Sequence, residues 1–281
     1  MNDELLVADR SERGKLRVAD EQRAWFLDQI LTQSFADMDP GEARDSALIT
    51  VHGRMQAYME VLATEDSFLC HYEQELRGFV PEALQRYVFA TRVTLEDVSD
   101  AQALLLLVGD GWGEAAAEIG DDVHVHPTQS LGVEAGYVWV PAGDKSAALE
   151  VVVSKGAALA SEERLEDIRI SSGVARWGRD MDSKTFPQEA GVDERAVHYE
   201  KGCYLGQEAM AKIHFRGKVN RRLARIEGAG TIPSGAEVWA GEERVGKVTS
   251  AADGRGLALV RYTTEAGTTV RAGDVEARVV S

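Results

Sequence analysis

A single cysteine in a polar segment is the residue best suited to chemistry in this sequence. Two glycines bracket Cys203, which lies two residues after Lys201 in the run Lys-Gly-Cys-Tyr-Leu-Gly-Gln-Glu. Helical composition follows to His214, so we expect the thiol just before a helix N-terminus and near an ammonium group. Both neighbours favour the thiolate, the form that attacks electrophiles and binds iron. His198 and His214 are candidate bases, and the competing interpretation is an inert, buried cysteine.

The same segment is the most basic part of an acidic chain. Residues 201–226 contain one acid, Glu208, and seven cations: Lys201, Lys212, Arg216, Lys218, Arg221, Arg222 and Arg225. The whole chain carries −16, so the other 255 residues carry −22. A strand edge guarded by cations is one interpretation. The other is an electropositive wall for a small anionic ligand, because the acidic remainder opposes broad binding to nucleic acid or to an anionic membrane.

Two further patterns invite a functional interpretation. The run Gly-Asp-Gly-Trp-Gly at 109–113 follows an apolar stretch, but Glu114 occupies the position of the third glycine in a dinucleotide loop. A tight strand-to-helix turn is therefore favoured. His124 and His126 share one face of a strand and could chelate a metal, but no third ligand is identifiable nearby. Ordinary hydrogen-bonding histidines are the competing interpretation, and no metal site is predicted.

Periodicity predicts the elements that must position these residues. An amphipathic helix capped by Asp20 is expected over 20–34, and a second helix begins near Pro81. The continuous apolar run 103–108 predicts a strand buried on both faces. Further strands are predicted at 46–51, 55–62, 68–72, 122–126, 136–140 and 148–153, with a helix at 113–119. Beyond residue 217, short apolar segments between glycine-rich turns predict a small antiparallel β-barrel or sandwich, with strands at 223–226, 236–239, 244–249, 257–262 and 275–280.

Length and composition bound the class of protein. The chain has 281 residues, which suggests two domains, placed at 1–217 and 218–281. Its longest apolar run, at 103–108, is far shorter than the ~20 residues that span a bilayer, so no membrane partner is expected. The acidic start lacks the basic and apolar segments of a secretory signal. Two cysteines, Cys70 and Cys203, cannot form a disulfide framework, which predicts a cytoplasmic protein.

At residues 201–208 the sequence resembles the signature of the YgfZ family, which includes folate-dependent iron–sulfur assembly factors. All eight positions match. Other matches are to the wider superfamily of the glycine-cleavage T-protein. They lie at 177–182, Thr185, Pro187, Glu189, Arg221, Arg222, 246–250 and in the helix at 20–34.

The resemblance implies an α+β protein, with T-protein-like, folate-binding α/β subdomains around a central pocket and a small C-terminal antiparallel β-barrel. It implies a tetrahydrofolate-binding accessory protein that serves iron–sulfur enzymes or assembly factors in cluster assembly or repair. Cys203 and Lys201 would be its working residues. The folate-binding residues would be Met55, Trp177 and Asp180 at the pterin, Tyr204 and Gln207 beside the cysteine, and Arg216, Arg221 and Arg222, with Lys218, at a glutamate or polyglutamate tail.

One departure from the superfamily bears on activity. T-proteins carry a Gly-Gly-x-x-Asp-Asp segment whose acid works at the folate, whereas residues 52–57 read His-Gly-Arg-Met-Gln-Ala, and Ser171 replaces a second acid. Because the N–H donors of a pterin edge seek carboxylates, we do not expect classical aminomethyl transfer. A tetrahydrofolate-dependent aminomethyl or other one-carbon transferase is one alternative, and an RNA-modification-associated role, suggested by the basic segment, is the other.

Overall fold

The computed structural model describes residues 4–217 and 219–280, apart from the side chain of Arg216. The strands, in chain order, are β1 (Leu6–Asp9), β2 (Gly14–Ala19), β3 (Ala43–Ile49), β4 (Met55–Ala63), β5 (Ser67–Tyr72), β6 (Thr94–Asp97), β7 (Gln102–Val108), β8 (His124–Pro127), β9 (Ala135–Pro141), β10 (Ala158–Leu159), β11 (Arg221–Gly228), β12 (Glu237–Ala240), β13 (Glu243–Ala252), β14 (Arg255–Arg261), β15 (Thr269–Ala272) and β16 (Val275–Val279). The α-helices are α1 (Arg23–Ile30), α2 (Phe79–Gln85), α3 (Trp112–Ala117), α4 (Lys145–Ser154), α5 (Glu162–Ser172), α6 (Pro187–Ala190), α7 (Asp193–Ala196) and α8 (Gln207–Arg216).

Two five-stranded sheets face each other at the centre of the molecule. The first has the strand order β10-β1-β7-β9-β8 and the second the order β3-β4-β5-β2-β6. Leu62 and Leu69 of the second sheet share one apolar core with Leu104, Leu106 and Tyr137 of the first. The outer face of the first sheet packs on α3 and α4, and that of the second on α1 and α2. The arrangement therefore has four layers, in the order helix, sheet, sheet, helix.

The central strand of the first sheet, β7, is buried on both faces as predicted, whereas one segment predicted to be a strand forms a helix. Alternate residues of β7 enter the cores on the two sides of the sheet. Residues 148–153 lie in α4, so the strand prediction there is wrong. Ala148 and Val152 are four residues apart and both pack on the first sheet, which is helical spacing. The three valines at 151–153 are β-branched and so favour a strand, but this preference depends on the surrounding structure and is overridden here by packing on the sheet.

Some helix and strand boundaries in the structure differ from the predicted ones by a few residues. The first helix covers Arg23–Ile30 rather than 20–34, because Asp20 has a φ of 76° and Leu31 bridges to Leu48 of β3. In the glycine-rich run at 109–113, residues 109–111 form the turn from β7 into α3, which begins at Trp112. A Cβ on Gly109 would lie 2.7 Å from the Glu4 carbonyl oxygen. The sequence patterns do not predict the strands β1, β2, β6, β10 and β15 or the helices α5, α6 and α7. Among the described residues, no helix is long and apolar enough to cross a membrane.

The C-terminal strands close into a barrel, in the order β11-β14-β13-β12-β15-β16. The α+β class and the small antiparallel β-barrel are therefore confirmed, while the division at residue 217 stays a prediction. Asp180 ties the barrel to α5 from a fully buried position. Its carboxylate accepts from Arg169 Nη1 at 2.6 Å, from the Thr249 hydroxyl at 2.5 Å and from the Ser250 hydroxyl at 2.8 Å.

We expect Asp180→Ala to destabilise the protein by about 3 kcal/mol or more, because it leaves the buried Arg169 guanidinium with one acid fewer and removes the contact with the barrel. Denaturant unfolding measures the change. Asp121→Ala, at an exposed aspartate, is the matched control and should stay within about 0.5 kcal/mol of wild type. Similar unfolding curves for the two variants would contradict this role of Asp180.

Candidate functional site

Cys203 is exposed in a loop whose first residue is firmly anchored. The ammonium of Lys201 donates to the carbonyls of Asp28, Leu31 and Gln33 at 2.9, 2.7 and 2.5 Å. The Asp28 and Leu31 carbonyls lie at the C-terminal end of α1, where a helix leaves them without intrahelical partners, and Gln33 follows two residues later. Burial lowers the pKa of Lys201 to about 8, and only 6% of its side chain is exposed.

The residues after Cys203 anchor the loop at its other end. Tyr204 is buried in the core beneath the loop, and its ring centroid lies 4.8 Å from Lys201 Nζ. The Gln207 side chain donates to the Lys201 carbonyl at 3.1 Å. Gly206 caps α8 with a φ of 81°, and a Cβ there would lie 2.4 Å from the Thr50 carbonyl oxygen. The loop is therefore fixed on both sides of a thiol that faces solvent.

The structure changes the expected surroundings of Cys203. The Lys201 ammonium is committed to three carbonyl groups, so its role is to anchor the loop rather than to activate the thiol. The predicted bases have other contacts as well. The His214 ring stacks on Tyr199 with centroids 3.7 Å apart, and His198 Nδ1 accepts from the Glu200 amide at 3.3 Å.

A small polar cavity lies between the two sheets and the segment after α5. Its volume is about 40 Å³, which admits a few water molecules or one small ion. Of the predicted pterin residues, Trp177 lines it. Met55 is instead fully buried in the apolar core against α1, and the oxygens of Asp180 are saturated by Arg169, Thr249 and Ser250. Neither is placed to bind a pterin.

A wider cleft adjoins this cavity. It has a volume of about 650 Å³ and is lined by Ala43, Arg44, Asp45, Glu60, Pro127, Thr128, Gln129, Gly191, Glu194 and Arg195. Asp45, Glu60 and Arg195 line both spaces, so they form the boundary between them. Arg195 Nε lies 3.1 Å from an Asp45 carboxylate oxygen and donates to the Tyr58 hydroxyl at 2.9 Å.

The two boundary carboxyls belong to a polar row across the second sheet. Asp45, Glu60, His71 and Lys15 are directly opposite one another on β3, β4, β5 and β2. Directly opposed residues project from the same face, here the face toward the first sheet. Burial and the adjacent Glu60 raise the pKa of Asp45 to about 7, against the opposing effect of Arg195. Burial also raises the pKa of Glu60, although Arg13 opposes it.

The buried histidine in this row, His71, and the one facing it from the first sheet, His126, are neutral. Burial, with Arg13 and His126 nearby, holds the pKa of His71 well below its usual value, and burial lowers that of His126 to about 4. Trp139 Nε1 donates to His126 Nε2 at 3.4 Å, whereas His124 is exposed. Within the described ranges, no three His, Cys, Asp or Glu side chains are grouped to hold a metal ion.

Much of the basic segment is used inside the protein. Arg221 forms two hydrogen bonds of 2.9 Å to Glu189, and Arg222 and Arg225 donate to the carbonyls of Thr264 and Ser171. Of the expected tail-binding arginines, Arg221 is therefore engaged where the barrel meets α6, and Arg222 is engaged within the barrel. Lys218 and the side chain of Arg216 lie outside the described residues.

The cleft and the thiol are on opposite sides of the second sheet. Tyr204 packs with Met59 in the core against α1, whereas the next residue of β4, Glu60, faces the cleft. The sequence analysis did not identify Asp45 and Glu60 as site residues. An acid at a position of a strand that faces the core is a sequence pattern that could have indicated them. For Arg10 and Arg13, which also line the cavity, the sequence carries no such signal because they lie in a turn.

Comparisons with known proteins agree with this architecture. The family described as CAF17, C-terminal beta-barrel domain, matches residues 220–281. An aminomethyltransferase of Rubrobacter xylanophilus is 26% identical over 307 aligned positions, covering 97% of this chain and 81% of that protein. The mitochondrial iron-sulfur cluster assembly factor IBA57 of Homo sapiens is 24% identical over 279 positions, covering 88% and 74%. The glycine cleavage system aminomethyltransferase T of Bartonella henselae has the same fold, with a TM-score of 0.89, 18% identity, and coverage of 99% and 85%.

We expect Asp45→Asn to remove a pH-dependent loss of stability. The folded-state pKa of about 7 exceeds the ordinary value of 3.8, so the folded state keeps a proton that the unfolded chain releases. Wild-type stability should therefore fall, relative to the variant, as pH rises from about 4 to about 7 and level off above that window. Thermal melts across this range measure the difference. Glu194→Gln, which changes an exposed carboxyl of the cleft, is the control, and its stability should depend on pH as that of wild type does. The same pH dependence in Asp45→Asn and wild type would contradict the raised pKa of Asp45.

Proposed function

The chain belongs to the glycine-cleavage T-protein superfamily, on its YgfZ-type side, and from this premise we propose a tetrahydrofolate-binding accessory protein for iron–sulfur cluster assembly or repair. Cys203 is its working thiol. The similarity to an iron–sulfur cluster assembly factor and to an aminomethyltransferase supports the two halves of this proposal. Two free cysteines suit a reducing compartment, and we place its action in the cytoplasm.

The observation that carries the proposal is the contrast between Cys203 and its neighbours. Lys201, Tyr204, Gly206 and Gln207 each have a defined structural contact in holding the loop. Cys203 lies among them in solvent, whereas most free cysteines, like Cys70 here, are buried. Burial raises the pKa of Cys70 to about 12, which leaves that thiol inert. An anchored loop that presents one exposed thiol suits a group that meets an electrophile or an iron atom.

The cleft is the best place for tetrahydrofolate. Its volume of about 650 Å³ is typical of small-molecule sites, which span roughly 300–1,000 Å³, while the inner cavity of about 40 Å³ is far too small. Asp45 and Glu60 offer carboxyl oxygens to the N–H donors of a pterin edge. Arg44 also lines the cleft, where it pairs with Asp37 at 2.7 Å, and in this proposal the carboxylates of a glutamate tail would compete with Asp37 for its guanidinium group. Tetrahydrofolate, when bound, supplies a carrier for a one-carbon group.

Cys203 would act on the other side of the second sheet, toward an iron–sulfur enzyme or an assembly factor. In this proposal the thiolate either attacks an electrophile or ligates iron transiently, while Lys201 and Tyr204 keep its loop in place. Folate binding and thiol chemistry are then separable, because the residues that serve them lie on different faces of one sheet.

A one-carbon transferase is the second candidate, and the carboxyl pair favours it. The segment at 52–57 lacks the acids of the T-proteins, but Asp45 and Glu60 bring two carboxyls to the cleft from other positions. An RNA-associated role has less support, because Lys201, Arg221, Arg222 and Arg225 of the basic segment bind protein groups.

We expect Cys203→Ala to abolish the activity of a cluster-dependent reporter enzyme in cells that rely on this protein. The thiol would be lost while the loop anchors remain, so the folded state and folate affinity should be unchanged. Glu200→Ala, an exposed neighbour in the same region, is the control and should keep full activity. Wild-type reporter activity in Cys203→Ala would refute the role of the thiol.

We expect Asp45→Asn to weaken tetrahydrofolate binding by about tenfold or more, because the pterin edge loses a charged hydrogen-bond acceptor. Isothermal titration calorimetry measures the affinity, with Glu194→Gln as the control at the same cleft. Cys203→Ala should bind folate like wild type. Absence of binding to the wild-type protein would rule out the folate half of the proposal, and equal affinity in Asp45→Asn would move the pterin elsewhere. Turnover of a one-carbon donor in the same samples would favour the transferase.

A further inference from the structure

A chain of alternating charges begins and ends with an arginine. Its members line the inner cavity except Glu162, whose side chain is 44% exposed. Arg13 Nη1 donates to Glu73 at 2.8 Å, and Arg176 donates to both oxygens of Glu73 at 3.1 Å. Arg176 also donates to Glu162, which accepts from Arg10 Nη1 at 2.5 Å. Three guanidinium groups thus share two carboxylates along this path.

The two ends of the chain come together in one turn. Arg10 and Arg13 lie in the link between β1 and β2, where the Arg13 amide donates to the Arg10 carbonyl at 3.1 Å. Both residues are more than nine-tenths buried, at 8% and 7% exposure. Within the part of the chain that the structure describes, the Nε–H of each has no hydrogen-bond partner. The Glu12 carboxylate is 3.9 Å from Arg10 Nε, beyond hydrogen-bond distance, and is 40% exposed.

Both arginines also line the cavity of about 40 Å³. Five guanidinium groups and four carboxyl groups line it in all: Arg10, Arg13, Arg169, Arg176, Arg195, Asp45, Glu60, Glu73 and Glu166. The nitrogens of Arg169 and Arg176 all donate to acids, a carbonyl or a hydroxyl, and Arg195 donates to the Tyr58 hydroxyl and the Gln129 carbonyl. Among the described residues that line the cavity, the buried guanidinium nitrogens without a partner are the Nε atoms of Arg10 and Arg13, at the two ends of the charge chain. A buried N–H without an acceptor is costly, which makes an acceptor in the cavity favourable.

We propose that the inner cavity binds one small carboxylate-type anion, the size of formate or bicarbonate, through the free donors of Arg10 and Arg13. A planar oxyanion matches the fork of a guanidinium group, and it would close the ring of alternating charges between its two terminal cations. The volume excludes larger carboxylates. The site is distinct from the cleft assigned to folate and does not require folate to bind.

The test is the thermal midpoint of the purified protein in sodium formate, sodium bicarbonate or sodium chloride, each exchanged for sodium gluconate at constant ionic strength. We expect formate or bicarbonate to raise the midpoint saturably, because a ligand of the folded state stabilises it in proportion to its occupancy. Arg13→Lys keeps a cation beside Glu73 but removes the guanidinium fork, so the rise should be lost. Arg17→Lys, on β2 and paired with Asp66 and Glu96, should keep it.

Three results would overturn the proposal: no dependence on formate or bicarbonate in wild type, an equal rise in Arg13→Lys and wild type, or an equal saturable rise with chloride. Arg10→Lys serves as a second variant, with the same expectation, if Arg13→Lys does not fold. Folate titrations are unaffected by these outcomes, so a failure here is distinct from a failure of the folate proposal.

Discussion

The centre of the molecule depends on the buried ion pairs that Arg13 and Arg176 both form with the carboxylate of Glu73. Burial works to raise its pKa, but Arg13 and Arg176 outweigh that effect and bring the pKa to about 2. Glu73 follows the last residue of β5, Arg13 precedes β2, and Arg176 lies after α5, so one carboxylate joins three segments of the chain. Loss of one partner in such a buried group leaves an uncompensated charge, which costs several kcal/mol, about 3–5 in measured cases.

The same ionic contacts continue to the barrel. Glu166 links Arg176 to Arg169, and Arg169 contacts Asp180, which binds Thr249 and Ser250 of β13. Charged groups thus connect the inner cavity, α5 and the barrel. An arrangement of this kind favours one relative placement of its parts, because every charge requires its partner.

The second sheet separates two kinds of chemistry. Its inner face carries Asp45 and Glu60 at the boundary of the cleft, and its outer face packs on Tyr204 beneath the exposed thiol. The alternation of side chains along β4 places Met59 and Glu60 on opposite sides. In the proposed function, this one strand therefore supports both the folate site and the loop that presents Cys203.

Much of the molecule follows from local patterns in the sequence. The α+β class, the C-terminal barrel and the buried strand β7 depend on apolar periodicity and turn residues, which are local properties. The anchored loop at 201–208 also stands out in the sequence by its glycines and its cysteine. Long-range pairing decided the rest: Lys201 meets the end of α1, 168 to 173 residues away, and α4 is a helix because of the sheet beneath it. The carboxyl pair and the charge chain from Arg10 to Arg13 join residues whose charges cannot be matched until the sheets are packed.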